Sequence, residues 1–321
     1  MNTRITLEPP GGYPGLQLQG RFGVLFFRDG TVRKEASLDP SFDAARLAVI
    51  GLLLAAGCPA QQLVQVPRSD GAQTPLRVYP AGVGGCAPLA LISPGAGGSQ
   101  DGYTYLAKAL QEDGWRAIVI GHKESGMGAL RADMRESHGL KKGLRQLVND
   151  PAAYDARMMD ITAALDWAGK SCKAPFAALL GHSMGARTVM LEAGAKNKLG
   201  VKGQDRFDAY VAMSPDGPDP TFPENAWNGI KKPMLILTGT HDKSMQTGDY
   251  RSRTIPYDSL PPGCNWLGVI DGATHMNFAG IGLAAPTEKL TLLETKAFLD
   301  GLHAGKCGTP VEAAGITLKN K

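Results

Sequence analysis

The chain has 321 residues, of which 43% are hydrophobic and 20% charged, and a formal net charge of +4. Such a length holds one large α/β domain or two small ones, and the composition is that of a globular protein with a sizeable core. The charge is small and spread along the sequence, which argues against a nucleic-acid partner, and Lys141, Lys142 and Arg145 read as a solvated face. The five cysteines, Cys58, Cys86, Cys172, Cys264 and Cys307, include no Cys-x-x-Cys pair, so zinc is not expected, and the chemistry read below calls for no metal or cofactor.

Residues 1–44 carry no sustained period. Pro9-Pro10-Gly11-Gly12 and Pro14-Gly15 interrupt every pattern, and the stretch reads as disordered or as a misassigned start, with translation beginning after residue 20. Residues 45–57 differ. Arg46 leads into the apolar run 47–56 and then Gly57-Cys58, a segment too short to span a bilayer. It resembles a bacterial lipoprotein signal peptide with its lipobox at Ala55-Ala56-Gly57-Cys58. The resemblance implies cleavage before Cys58, lipid attachment to that cysteine, and a periplasmic membrane-anchored or secreted protein. Two departures count against it: Ala55 stands where leucine is usual, and the segment does not open the chain. A buried apolar helix in a cytoplasmic protein is the competing reading.

From Gln61 the pattern becomes regular, and residues 58–321 read as one domain. Residues 63–66 and 75–79, separated by Ser69-Asp70-Gly71, predict an antiparallel hairpin. Residues 88–93 form a continuous apolar run, which suits a strand buried on both faces of a sheet. The run ends in Pro94-Gly95-Ala96-Gly97-Gly98-Ser99; a helix over 101–113 and a strand over 115–120 follow. Residues 122–149 are polar and punctuated by glycine, and read as an insertion over the site or a plain surface loop. Asp150-Pro151 is a helix start, an aspartate cap before proline, with Tyr154, Met158, Ile161, Leu165 and Ala168 on one face. Strands are then predicted over 175–180, 209–213, 233–237 and 266–270, with a helix after the first of them to about Ala195. A terminal helix over 287–302 is expected to turn Leu290, Leu293 and Ala297 to the sheet. This alternation predicts an α/β fold built on a mostly parallel, doubly wound sheet with the antiparallel hairpin at its N-terminal side.

In such sheets chemistry collects beyond the carboxyl ends of the strands. There the chain carries Gly181-His182-Ser183-Met184-Gly185, a Gly-x-Ser-x-Gly sequence between a buried strand and a helix. Asp242 follows the strand 233–237 through Thr238-Gly239-Thr240-His241, and His275 follows 266–270 through Asp271-Gly272-Ala273-Thr274. A serine hydroxyl needs a neutral imidazole to take its proton, and the imidazole needs a carboxylate to fix its tautomer. Ser183, His275 and Asp242 are therefore the expected nucleophile, base and acid, with Asp216 and Asp271 as rivals for the acid. The amides of Ala96 and Met184 are the expected oxyanion hole. His122 and His241 read as wall residues, and His182 as pointing away from the site.

These stretches resemble the dienelactone-hydrolase-related branch of the α/β-hydrolases, which includes platelet-activating-factor acetylhydrolase-like and polyester-hydrolase-like serine esterases. The resemblance covers about residues 61–302. It departs from true dienelactone hydrolases in having Ser183 where they carry a cysteine, and Ala186 stands where many relatives have a third glycine. It implies hydrolysis of short-chain or accessible carboxylic esters, small or polymeric, by a monomer with no large cap domain, since only residues 214–232 lie where caps are inserted. Tyr103, Tyr105, Trp227 and Phe278 are candidates for lining the substrate site, with core packing as the alternative for each; Tyr103 and Trp227 are the leading pair. A serine peptidase or amidase, and a non-catalytic lipid-anchored binding protein, are the competing functions. Without Cys58 four cysteines remain, an even number suited to an oxidising compartment. Cys86 and Cys172 precede neighbouring predicted strands, so the expected pairs are Cys86–Cys172 and Cys264–Cys307, with four buried thiols as the alternative.

Overall fold

The computed structural model describes residues 60–82 and 85–321, together with three short strands before them. Those strands, β1 (Ile5–Thr6), β2 (Gln17–Gln19) and β3 (Val24–Phe26), pair antiparallel in a sheet of their own within the unit Met1–Gly57. The lipobox reading, including Cys58, lies outside the described residues.

The second unit, Cys58–Lys321, is built on a nine-stranded sheet. Its strands are β4 (Gln62–Pro67), β5 (Gln73–Tyr79), β6 (Leu89–Ser93), β7 (Arg116–Ile120), β8 (Ala177–His182), β9 (Ala209–Met213), β10 (Met234–His241), β11 (Asn265–Thr274) and β12 (Ile316–Asn320). They lie in the order β12-β11-β10-β9-β8-β6-β7-β5-β4. The six from β7 to β11 are parallel; β4 and β5 form the expected hairpin at one edge, and β12 adds antiparallel at the other. Every residue of β6 and of β9 is buried, because helices cover both faces of the sheet.

The helices are α1 (Thr104–Glu112), α2 (Met127–Glu136), α3 (Leu140–Leu147), α4 (Pro151–Ser171), α5 (Met184–Glu192), α6 (Ile255–Ser259) and α7 (Ala285–His303). Leu106, Leu110, Trp115, Phe298 and Leu299 pack over one face of the sheet, and Tyr154, Ile161, Val189 and Tyr257 over the other. The Asp150 carboxylate accepts the Ala152 amide and caps α4, with proline in its first turn. Cys86–Cys172 and Cys264–Cys307 are disulfide-bonded, with Cα separations of 5.5 and 5.3 Å. No helix among the described residues is long and apolar enough to cross a membrane.

Two sequence expectations need correction. Residues 122–149 are helical for the most part, in a 3-10 turn (Lys123–Ser125), α2 and α3. Their glycines look like breakers, but a Cβ on Gly143 would lie 2.6 Å from the Met134 amide nitrogen, so this glycine lets α3 close on α2. On α7 the buried face holds Leu290, Thr291, Glu294, Thr295, Phe298 and Leu299, while Leu293 and Ala297 are half-buried, because the helix seats two threonines and a glutamate against the sheet. The strand β12 carries no sequence signal beyond Ile316 and Leu318, since an edge strand needs only one face apolar.

Candidate active site

The sheet changes winding direction between β6 and β8: the chain leaves β6 for β7 on one side and returns to β8 on the other. A crevice opens at such a switch point beyond the strand ends. Ser183 leaves β8 there and the Pro94–Gly98 loop leaves β6. Ser183 has φ 56° and ψ −118°, a sparsely populated conformation costing of order 1–3 kcal/mol, which lifts its side chain out of the turn. The turn closes only because its flanks lack side chains: a Cβ on Gly185 would lie 1.9 Å from the Ser93 carbonyl oxygen, and one on Gly181 2.3 Å from the Gly185 oxygen.

Asp242 and His275 arrive from β10 and β11. Both strands extend past the predicted ends, and β11 delivers His275 directly into a 3-10 turn, His275–Ala279, capped reciprocally by Thr274 and Asn277. His275 Nε2 lies 2.9 Å from Ser183 Oγ, and its Nδ1 3.0 Å from Asp242 Oδ1. With a carboxylate at Nδ1, that nitrogen carries the proton and Nε2 is left to accept from the serine. Ser183 and His275 are partly exposed while Asp242 is fully buried. The rivals are elsewhere: Asp216 pairs with Arg187 and Arg253, and Asp271 is exposed and accepts from Thr240.

Two partners of Asp242 were not anticipated. Ser214, fully buried at the end of β9, donates to Asp242 Oδ2 and lies 2.8 Å from His275 Nδ1. Arg253 Nε lies 2.8 Å from Asp242 Oδ1, and its guanidinium also donates to the carbonyls of Ser214 and Pro215 and to Asp216. Thr238 Oγ1 adds a further bond to Oδ2 at 2.9 Å. Burial alone would raise the Asp242 carboxyl; the His275 hydrogen bond, the Arg253 charge and the Ser214 hydroxyl outweigh it and hold the group below the ordinary aspartate value. Neither residue lies in a recognisable motif: Ser214 follows β9 with a φ of 58°, and Arg253 sits in a 3-10 turn, Tyr250–Thr254.

The Pro94–Gly98 loop passes close over Ser183, since a Cβ on Gly95 would lie 3.2 Å from Ser183 Cβ. Its neighbours are committed: the Gly97 amide donates to Ser125 and that of Gly98 to Gly95. Among the described residues neither the Ala96 nor the Met184 amide donates a hydrogen bond, and Ala96 is partly exposed. The two amides expected to serve an oxyanion are therefore unspent beside Ser183.

The aromatic candidates require correction. Tyr103 is buried behind the loop, where its hydroxyl accepts the Gly95 amide at 3.2 Å and lies 2.8 Å from His182 Nδ1. Trp227 is fully buried, its ring tilted against that of Phe222 and its Nε1 donating to Met190 Sδ, and offers no surface to a substrate. Phe278 is fully buried, and the half-buried Tyr105 spends its hydroxyl on the Phe278 carbonyl. His182 does not point away: its ring centroid is 4.7 Å from that of His275, and burial, then the neighbouring His275, push it well below the ordinary imidazole value. Among the described residues no group of three or more His, Cys, Asp and Glu side chains is arranged to hold a metal ion.

Est1E from Butyrivibrio proteoclasticus superposes with a TM-score of 0.51 at 16% identity, over 76% of this chain and 99% of that one. Dienelactone hydrolase from Anabaena variabilis superposes with a TM-score of 0.50 at 18% identity, over 74% of this chain and 96% of that one. The chain has the α/β-hydrolase fold. No protein-family model matches the sequence, and a search of curated proteins finds no match. As an α/β-hydrolase fold it has a mostly parallel sheet, an antiparallel hairpin at one edge and no helical cap between β9 and β10, where residues such as Phe222 and Ile230 are instead buried in the core.

Proposed function

We propose that this α/β-hydrolase fold is a serine hydrolase that cleaves carboxylic esters through an acyl-enzyme on Ser183. The observation that carries the reading is the unbroken hydrogen-bonded chain from Ser183 through His275 to the buried Asp242, beside two amides with no other partner. Ser183 Oγ attacks the ester carbonyl carbon as its proton passes to His275 Nε2. The carbonyl oxygen becomes an anion and takes the Ala96 and Met184 amides, a contribution of about 3 kcal/mol per donor to the barrier. His275 then gives the proton to the leaving alkoxide, so that an alcohol departs and an acyl group remains on Ser183. Water repeats the sequence, giving up its proton to His275 and releasing the acid. Asp242 stays ionised throughout and stabilises the imidazolium. No metal or cofactor enters these steps.

The rim supports the proposed substrate class. Met127, Met245, Met276, Ile281 and Leu283 are 40–94% exposed, and all lie on segments that follow β7, β10 or β11, at the edge of the sheet that carries Ser183. An open apolar mouth without a cap suits accessible acyl esters, small or polymeric, acted on by a monomer. The two disulfides favour an exported protein, and lipid attachment at Cys58 extends that reading from the sequence alone.

Labelling with a fluorophosphonate probe, alongside a panel of p-nitrophenyl esters, tests the proposal. Wild type is expected to label and to hydrolyse short acyl esters, and Ser183→Ala to do neither. Labelling that persists in Ser183→Ala, or a wild type that neither labels nor hydrolyses, overturns it.

A further inference from the structure

Helix α4 carries a buried cation that the triad leaves unused. Arg157 is 1% exposed, and Asp160, one turn further along the same helix, is occupied by Arg68 and His122. Among the described residues Arg157 has no ion pair; its contacts are carbonyls and hydroxyls. Burial lowers the guanidinium to about 10, which still leaves it charged at neutral pH. A charge kept in such surroundings is expensive unless it acts on something.

Its contacts converge on the two amides beside Ser183. Nη1 donates to the Pro94 carbonyl at 2.9 Å, at the entry of the loop that carries Ala96. Nε donates to Ser125 Oγ at 2.8 Å, and the Ser125 carbonyl accepts the Gly97 amide at the exit of that loop. Nη1 also reaches Thr188 Oγ1 at 3.4 Å, and Thr188 donates to the Met184 carbonyl at 2.9 Å. One guanidinium thus touches both flanks of the Ala96 loop directly or through one residue, and the first turn of the helix that begins at Met184.

A second serine–histidine–aspartate arrangement fixes the remaining contact. His122 Nδ1 lies 2.8 Å from Asp160 and its Nε2 2.9 Å from Ser93 Oγ, all three side chains being buried. The carboxylate sets the proton on Nδ1, so Ser93 donates to Nε2 and turns its oxygen to Arg157 Nη1, 3.2 Å away. With no access for a substrate, this relay orients one hydroxyl and the guanidinium it meets.

We propose that Arg157 is the positioning residue of the oxyanion hole, holding the Ala96 loop and the Met184 turn in register and supplying a buried positive charge behind them. The inference rests on the serine-hydrolase reading. The charge is present before reaction, and negative charge grows at the oxyanion only in the transition state, so the effect belongs in kcat rather than KM.

Kinetics on p-nitrophenyl acetate, with inhibition by phenylboronic acid as a reporter of the anionic tetrahedral adduct, test this. Arg157→Gln is expected to lower kcat about 100-fold with KM within about threefold, and to weaken the boronate by a similar factor. Arg157→Lys, which restores the charge without the fork, recovers about tenfold of the loss. Thr188→Val, acting on the Met184 side alone, lowers kcat and boronate affinity together by about tenfold. If Arg157→Gln does not fold, Thr188→Val and Ser125→Ala decide the matter by the same two readouts. An active wild type whose variants keep kcat within about threefold, or lose kcat with boronate binding unchanged, overturns the inference alone. A wild type that neither labels nor hydrolyses overturns the underlying reading and the inference with it.

Discussion

Acid is expected to destabilise this protein through His122. Both ring nitrogens are engaged in the neutral form, Nδ1 with Asp160 and Nε2 with Ser93. Burial, then the Arg157 charge, outweigh the Asp160 hydrogen bond and lower the imidazole from 6.5 to about 4. Because the folded value is the lower one, the unfolded chain takes up the proton first. The stabilisation is complete above about pH 6.5 and is lost as the pH falls towards 4. At 1.36 kcal/mol per pH unit the loss amounts to about 3 kcal/mol. Urea unfolding followed by tryptophan fluorescence, between about pH 7.5 and about pH 4.5, measures it against His122→Gln, which keeps a donor and an acceptor but cannot titrate. His182 and the carboxylates remote from His122 titrate in both proteins and cancel in the difference. Wild type is expected to lose about 2 kcal/mol more than the variant over that range. Parallel stability curves would refute the reasoning, since they would mean that His122 protonates equally in the folded and unfolded chains.

Ser214→Ala removes a buried donor from Asp242 while leaving Thr238 and Arg253 in contact with it; kcat/KM for an ester substrate is expected to fall roughly tenfold, and an unchanged value would exclude Ser214 from orienting the acid. Gly185→Ala forces a methyl group to within 1.9 Å of the Ser93 oxygen, so thermal unfolding should register a loss of about 3 kcal/mol or more. Opening the disulfides, which span 86 and 43 residues of sequence, is expected to lower stability by about 4 kcal/mol each on the chain-entropy account, measured by denaturant unfolding of the double-serine variants.

The sheet and the strand-end positions of Ser183, Asp242 and His275 were legible because each is announced by a local signal that physics makes hard to fake. Buried parallel strands must be apolar throughout, and a serine between glycines at the end of one needs that turn. Asp242 and His275 follow strands of the same kind, and chain order did the rest. What escaped reading depends on tertiary contact. Arg253 and Arg157 are charged residues on short or amphipathic segments, where solvation is the ordinary expectation, yet both are buried to serve carbonyls and carboxylates. Thr291 and Thr295 occupy the inner face of α7 where a period of apolar residues would place Leu293 and Ala297. Trp227 and Tyr103 were visible as aromatics near strand ends, but composition does not say whether a ring faces the crevice or the core. The helices over 127–147 were hidden by Gly128, Gly139 and Gly143, of which the last is a packing contact.

The mounting of His275 separates two tasks in space. The imidazole sits on the final step of a ten-residue strand and in a turn braced at both ends, with the Asn277 side chain accepting the Thr274 amide and donating to the Ile281 carbonyl. Beyond that brace the chain swings outward through Ile281 and Leu283, the latter 94% exposed. Residues 282–284 can therefore be lengthened, shortened or recoloured chemically without torque on His275. A chain built this way can be re-tuned to new partners at its rim while Ser183, Asp242 and His275 keep their registration to the sheet.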